Sequence, residues 1–301
     1  GGSGGSDPAR DRIGHPVGNS ALRVLWVFGG DEMKMAGPSS QTVTQILGAV
    51  VLAFLVMPIF AVVPASFNEA SFIKIPPEET SLRWYTAFLE DSTWVSALYN
   101  SVRVALLTTV LALVIGTLAA LGVERLPPRA RPFVIGAVLS PLIVPVIMIS
   151  IALYYVTRSI GLYGTIAGLA LSYALLCVPF VLLNVSVSLQ RVDPNLARAA
   201  SGLGARPWHV FRTVTLPSIW PGLASGGAFA FVLSFDEVVI SLFLSGYGAK
   251  TLPVKLWEQI RVEFTPVAAV ASTIILGFTV VLFIITRLSA RKQNSPAKRS
   301  K

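Results

Sequence analysis

Apolar residues predominate in six long segments of the chain, and most charged residues lie in the stretches between them. Each segment has about the 20 residues that an α-helix needs to cross a bilayer. The pattern therefore predicts an all-α integral membrane protein with six transmembrane helices. The predicted spans are 43–66, 96–123, 133–157, 165–189, 219–244 and 267–288.

Composition supports this prediction. Hydrophobic residues make up 53% of the 301 residues and charged residues only 13%, with a mean hydropathy of +0.69, which excludes a soluble globular domain. The net charge of +9 does not indicate nucleic-acid binding, because the basic residues lie in short blocks beside apolar spans. A single cysteine, Cys177, excludes an intrachain disulfide and a cysteine-based metal cluster.

Basic residues are concentrated in every second polar stretch, and this fixes the predicted orientation. The N-terminus, the 190–218 loop and the C-terminus are expected in the cytoplasm, and the acidic 68–91 loop on the other side. Residues 1–40 are expected to form a flexible arm, in which 1–6 read as an added glycine-serine linker. The membrane domain is then 41–289, and 290–301 form a basic cytoplasmic tail that contacts lipid headgroups.

The 190–218 loop predicts two short helices that meet at a glycine. Asp193 can cap a helix that begins with Pro194. Its apolar stripe would consist of Leu196, Ala199, Ala200 and Leu203. Gly204 lies where a helix end favours positive φ, and a second helix begins at Pro207 and stops at Leu216-Pro217. Such a shape suits docking in a groove on another protein.

The same loop resembles the cytoplasmic "EAA" motif of ABC-importer permeases, which reads Glu-Ala-Ala, then a glycine, and later an apolar-Leu-Pro. The matching residues are Ala199, Ala200, Gly204, Leu216 and Pro217, and Arg198 stands in place of the glutamate. The resemblance implies a type I ABC-importer permease fold with cytoplasmic coupling helices, in which these six residues contact an ATPase subunit. The alternative is an ordinary cytoplasmic loop with a short surface helix.

Two adjacent acidic residues lie inside the fifth predicted span. An intramembrane carboxylate costs at least about 2.5 kcal/mol, so it must face a cavity, a partner or the bundle interior. In a continuous helix, Ser234, Glu237 and Ser241 share one face, whereas Asp236 points elsewhere among apolar residues. We predict that the serine and Glu237 stripe lines a transport path or a subunit interface, and that Asp236 meets substrate or a basic group on a neighbouring span. A helix–helix hydrogen-bond pair is the structural alternative.

An acidic pair after a serine, the loop and sixth span that follow it, and Leu-Arg-Trp-Tyr before the second span resemble permeases of the spermidine/putrescine type. The resemblance implies that Trp84 contributes to polyamine transport. It also implies that the acidic side chains replace the water around a polycation with charge-assisted hydrogen bonds. For Trp84 and the neighbouring aromatic residues, an interfacial aromatic belt is the alternative.

The expected function is that of a permease subunit in a bacterial inner membrane. As the resemblance implies, its partners would be two ABC ATPase subunits, a second homologous permease, an extracytoplasmic substrate-binding protein and membrane lipid. We expect no catalytic residue, no metal site and no cofactor on this chain, since ATP and Mg would be held by the ATPases. The alternatives are a permease for aminoethylphosphonate, opines, iron or thiamine, a membrane scaffold, or a membrane enzyme.

Overall fold

The structure of the protein is a computed structural model that describes residues 1, 38–71, 77–193, 195–196, 200, 202–263 and 265–294. These residues are almost entirely helical, as predicted, apart from one isolated antiparallel bridge between Asn68 and Thr80. The helices are α1 (Pro38–Ala65), α2 (Arg83–Glu90), α3 (Ser92–Arg125), α4 (Arg131–Leu139), α5 (Val146–Ser159), α6 (Ile166–Leu189), α7 (Pro207–Val210), α8 (Leu216–Asp236), α9 (Val239–Leu244), α10 (Leu252–Val262) and α11 (Pro266–Asn294).

The chain divides into a unit of residues 1–58, which holds the first part of α1, and a unit of residues 59–301 with all later elements. Five helices of the described chain are long and apolar enough to cross a membrane: α1, α3, α6, the continuous 207–236 helix and α11. A sixth span is completed by α4 and α5 if the two are counted together, and the prediction of six apolar segments is confirmed in that form.

The third predicted span, 133–157, is not one straight helix. A short 3₁₀ turn, Ser140–Leu142, follows α4, and α5 then leaves at an angle of 91°. Pro145 causes the break, because it has no N–H to continue the helical ladder and itself adopts an extended ψ of 130°. The apolar composition of the segment predicted a membrane span, whereas Pro145 determined the path of the chain.

Three helices, α3, α6 and α8, form the core of the larger unit. Small residues let them approach closely: a Cβ added at Gly116 would meet Val181 Cβ at 2.7 Å, and one added at Gly222 would meet the Asn184 carbonyl oxygen at 2.6 Å. The buried side chains of this cluster are Ala112, Ala120, Cys177, Val181, Leu182, Val185, Ile219 and Ala230. Larger residues at the glycines would force the helices apart.

A second packed cluster joins α2 to the start of α3, α10 and α11. Its centre is Phe88 against Trp94, with ring centroids 5.6 Å apart, and it includes Leu252 and Val270. The Asp91 carboxylate caps α3 by accepting a hydrogen bond from the Thr93 N–H at 2.8 Å. A hydrogen bond with the Thr93 side chain, together with this cap bond, lowers the pKa of Asp91. This end of the unit is therefore fixed by apolar packing and by a cap.

The fifth predicted span, 219–244, is also corrected. Its helix already begins at Pro207 and runs through a π-helical turn, Phe211–Thr215, into α8, so the predicted stop at Leu216-Pro217 is wrong. The wider π-helical turn makes room for the ring of Pro217 and does not require the N–H group that a proline lacks. The Ser218 hydroxyl donates a hydrogen bond to the Val214 carbonyl oxygen at 2.6 Å. At the other end, α8 finishes at Asp236, and α9 begins only at Val239.

Candidate coupling segment and transport path

The glycine corner predicted in the 190–218 loop is present. Gly204 has a φ of +84°, and the Ala205 N–H donates to the Ala200 carbonyl at 3.1 Å, which is the bond that closes a helix end of this type. The Asp193 carboxylate accepts from the Asn195 N–H at 2.8 Å, as the predicted cap requires. Of the six motif residues, Ala200, Gly204, Leu216 and Pro217 lie in the described chain, whereas Arg198 and Ala199 lie outside the described residues.

Large apolar side chains are exposed around this corner. The exposed fractions are 90% for Leu203, 70% for Trp208 and 54% for Leu196, and we call these three residues the coupling knob. The Trp208 ring stacks on Phe211 at 5.5 Å between centroids, so the exposed indole is held in place. Large apolar side chains left exposed on a segment between predicted spans are typical of a protein contact.

The backbone breaks at Glu237, at the opposite end of α8. The Glu237 carboxylate accepts hydrogen bonds from the N–H groups of Val239 at 2.7 Å and Ile240 at 3.3 Å, and so caps α9. The hydroxyl of Tyr173, which is only 1% exposed, donates to the Glu237 carbonyl at 3.0 Å. Both the carboxylate and the carbonyl of Glu237 therefore hold the break in one conformation.

This break overturns the predicted stripe of Ser234, Glu237 and Ser241, because a common face requires one continuous helix. Ser234 is buried and donates to the Ala230 carbonyl of its own helix at 2.7 Å. Ser241 is fully buried and shares a 2.8 Å hydrogen bond with the hydroxyl of Thr251. Both serine side chains are therefore buried in the structure and do not form one stripe with Glu237.

Asp236 lies on an open stripe along α8 instead. The exposed positions of α8 recur at helical spacing, and they are Pro217, Trp220, Pro221, Ser225, Phe229 and Asp236. A cavity of about 190 Å³ lies at the Asp236 end and is lined by Phe229, Val232, Leu233, Asp236 and Glu237. Within the described part of the chain, the Asp236 carboxylate has no hydrogen-bond or ion-pair partner. It is thus a carboxyl group without a partner among the described residues, in a cavity whose other walls include Phe229, Val232 and Leu233.

Trp84 lies elsewhere. It packs on the Phe88 and Trp94 cluster, with the Arg83 guanidinium 4.8 Å above its ring. Its indole N–H is buried and has no acceptor among the described residues. The lining of the Asp236 cavity does not include it, so the structure does not bring Trp84 together with the acidic pair.

Sequence reasoning missed two polar residues that shape the break, Tyr173 and Thr251. Tyr173 lies in a predominantly apolar span, where a buried hydroxyl needs a hydrogen-bond partner, and this was the available signal. Thr251 gave none, because its partner Ser241 comes from the other side of a loop. Among the described residues, no group of three or more His, Cys, Asp or Glu has the geometry to hold a metal ion.

Comparison with known proteins adds to this geometry. Residues 112–294 match the family described as binding-protein-dependent transport system inner membrane component. The spermidine/putrescine transport system permease protein PotC of Escherichia coli K12 is 30% identical over 241 residues, which cover 80% of this chain and 91% of the relative. The putrescine permease PotI of the same organism is 33% identical over 248 residues, covering 80% and 88%. The trehalose permease SugB of Mycobacterium tuberculosis is 27% identical over 256 residues, covering 83% and 93%.

Solved structures of ABC transporters share the fold. A chain of a bacterial importer of the acidic polysaccharide alginate superposes with a TM-score of 0.65 at 14% identity, over 86% of this chain and 96% of that one. A chain of the MetNI methionine transporter superposes with a TM-score of 0.56 at 16% identity, over 67% and 98%. The chain therefore belongs to the family of binding-protein-dependent transport system inner membrane components, and it is a multi-pass permease subunit of an ABC importer.

Proposed function

We propose that this permease carries a polyamine or a similar small amine, and that Asp236 meets the cation on its path along the open stripe of α8. The single observation that carries the proposal is the free carboxylate of Asp236 beside the Phe229 ring. A carboxylate forms charge-assisted hydrogen bonds with an ammonium group, and an aromatic face attracts the same group. The similarity to PotC and PotI supports this substrate class.

The two acidic residues have different roles in this proposal. The carboxylate of Glu237 is already occupied by the N–H groups of Val239 and Ile240, so its role is to position the backbone. The Asp236 carboxyl group has no hydrogen-bond partner in the described chain and is therefore available to a solute. Of the two adjacent acidic residues, Glu237 thus caps a helix and Asp236 binds the solute.

The coupling knob supports a second element of the proposal. We assign the 190–218 loop and both termini to the cytoplasm, where Leu203 and Trp208 would enter a groove of an ABC ATPase. Two ATPase subunits would hold the ATP and Mg, a homologous permease would cover the open stripe of α8, and an extracytoplasmic binding protein would deliver the substrate. Closure of the ATPases would then move the loop and open the path to the cytoplasm.

A neutral solute is the second candidate, and the similarity to the trehalose permease favours it. A polyhydroxylated neutral molecule needs hydrogen-bonding partners but no fixed negative charge. The effect of neutralising Asp236 therefore distinguishes the two substrate classes.

The test is uptake of labelled spermidine and of labelled trehalose by proteoliposomes that contain the complete transporter. We expect Asp236→Asn to lower spermidine uptake about tenfold, because it removes a charge-assisted contact. Glu237→Gln should retain most uptake, because the amide oxygen of glutamine still accepts the capping hydrogen bonds. Glu258→Gln is the matched control, since Glu258 is exposed and paired with Lys250. Wild-type spermidine uptake by Asp236→Asn would overturn the substrate assignment.

A further inference from the structure

An apolar groove of about 510 Å³ runs along one face of α3. It is lined by Arg103, Leu106, Leu107, Val110 and Ile166. The four α3 residues recur at helical spacing and so form one face. The fifth, Ile166, is the first residue of α6. The groove therefore has a cationic end at Arg103 and an aliphatic floor that extends two turns along the helix.

The Arg103 side chain is exposed and has no anionic partner. Its guanidinium lies over the ring of Tyr99, 4.1 Å from the centroid. Among the residues that the structure describes, it makes no ion pair and no hydrogen bond. An arginine keeps its charge in any protein environment, and its fork of N–H groups fits two oxygens of a phosphate. The stacked ring covers one face of the guanidinium and leaves the edge donors free.

The position of Arg103 along α3 matches the depth of a lipid headgroup. Residues 104–123 carry no charge, and the next charged residue is Glu124. A run of this length spans the hydrocarbon layer, so Arg103 lies where that layer ends. Leu106, Leu107 and Val110 follow at the depth of the acyl chains. The N-terminus of α6, which carries a partial positive charge, borders the groove at Ile166.

We propose that this groove binds one anionic phospholipid, with its phosphate on Arg103 and an acyl chain along Leu106, Leu107 and Val110. Two observations commit the site to a lipid: the unpaired cation lies at the hydrocarbon boundary, and the floor below it is wholly aliphatic. This site is separate from the Asp236 cavity, none of whose lining residues it shares. The proposal therefore does not rest on the identity of the transported solute.

Native mass spectrometry of the assembled transporter, titrated with dioleoyl phosphatidylglycerol or dioleoyl phosphatidylcholine, tests the site. We expect Arg103→Gln to need about tenfold more phosphatidylglycerol for the same occupancy, because a charge-assisted contact is lost. Arg103→Lys should need an amount of phosphatidylglycerol between those needed by the wild type and by Arg103→Gln. Lysine keeps the positive charge but lacks the paired N–H groups of the guanidinium. Phosphatidylcholine, whose choline offsets the charge of its phosphate, should bind more weakly to the wild type and should lose less of its retention in Arg103→Gln than phosphatidylglycerol does.

Arg158→Gln is the matched control. Arg158 is also exposed, and its guanidinium lies 6.0 Å from the Tyr154 ring centroid and donates to the Tyr154 hydroxyl, but it lines no part of the groove. Equal phosphatidylglycerol retention by wild type and Arg103→Gln, or an equal loss in Arg158→Gln, would overturn the proposal. Crosslinking of Leu106→Cys to the second permease would do the same, since the groove would then be a protein interface.

Discussion

The two ends of the 207–236 helix differ in how far contacts within the chain cover them. At the Gly204 end, the chain leaves Leu203 and Trp208 largely uncovered. At the Glu237 end, the break in the backbone is closed by the chain itself, through the Tyr173 hydroxyl and the Glu237 carboxylate. One end leaves large apolar side chains exposed, and the other end is held by hydrogen bonds within the chain.

The difference teaches which residues to test for function and which for stability. An exposed apolar knob contributes little to the fold of the isolated subunit, so changes there should act through a partner. A buried hydrogen bond at a helix break stabilises the subunit directly, because its loss leaves a polar group without water. Asp236, next to the break, belongs neither to the exposed knob nor to the hydrogen bonds that hold the break.

The largest effect is expected from Gly204→Val. A β-branched residue at a φ of +84° costs about 1 to 2 kcal/mol, although no atom lies within 4 Å of an added Cβ. The corner should change shape, so that ATP turnover by the assembled transporter continues while uptake falls about tenfold or more. Gly202→Val is the control, because Gly202 has equal space without a positive φ. If uptake by Gly204→Val stayed in proportion to ATP turnover, the Gly204 end would not act through a partner. The proposed difference between the two ends of the helix would then be wrong.

A smaller effect is expected from Tyr173→Phe. The change leaves the Glu237 carbonyl without its donor and should destabilise the subunit by about 1 to 3 kcal/mol. Thermal unfolding in detergent measures it as a lower midpoint. Tyr247→Phe is the matched control, since the Tyr247 side chain is fully exposed. An unchanged midpoint would show that the break is held by other contacts.

The smallest effect concerns pH in the hairpin that carries the Asn68 and Thr80 bridge. A hydrogen bond with Glu69, followed by repulsion between the two carboxylates, raises the pKa of Glu79 above its ordinary 4.5. Because the folded-state pKa is the higher one, the stabilisation is complete below about pH 4.5 and is lost as pH rises through the raised pKa.

Amide exchange, corrected for the intrinsic effect of pH, measures this at the Glu69 N–H, which donates to the Glu79 carbonyl at 3.2 Å. Protection should fall with rising pH in the wild type and stay level in Glu79→Gln. Glu90→Gln, which changes an acid outside the hairpin, should behave as the wild type. A level profile in the wild type would show that the carboxylate pair does not act on this end of the molecule.

The sequence was sufficient for the spans and for the glycine corner, because hydropathy and positive φ are local properties. It was not sufficient for the path of the chain through the spans. The prediction for Leu216-Pro217 used the usual behaviour of proline and had no means of foreseeing a π turn before it. Ser234 and Ser241 were assigned to one face by assuming a continuous helix, because no glycine or proline between them marks the break after Asp236.

The glycine contacts between α3, α6 and α8 have a mechanical consequence. Backbones that touch at Gly116 and Gly222 leave no slack for one helix to slide past another. The 30-residue helix from Pro207 to Asp236 is about 45 Å long and packs closely against α3 and α6. We therefore expect a force applied at Trp208 to move the three packed helices and Asp236 together as one rigid block.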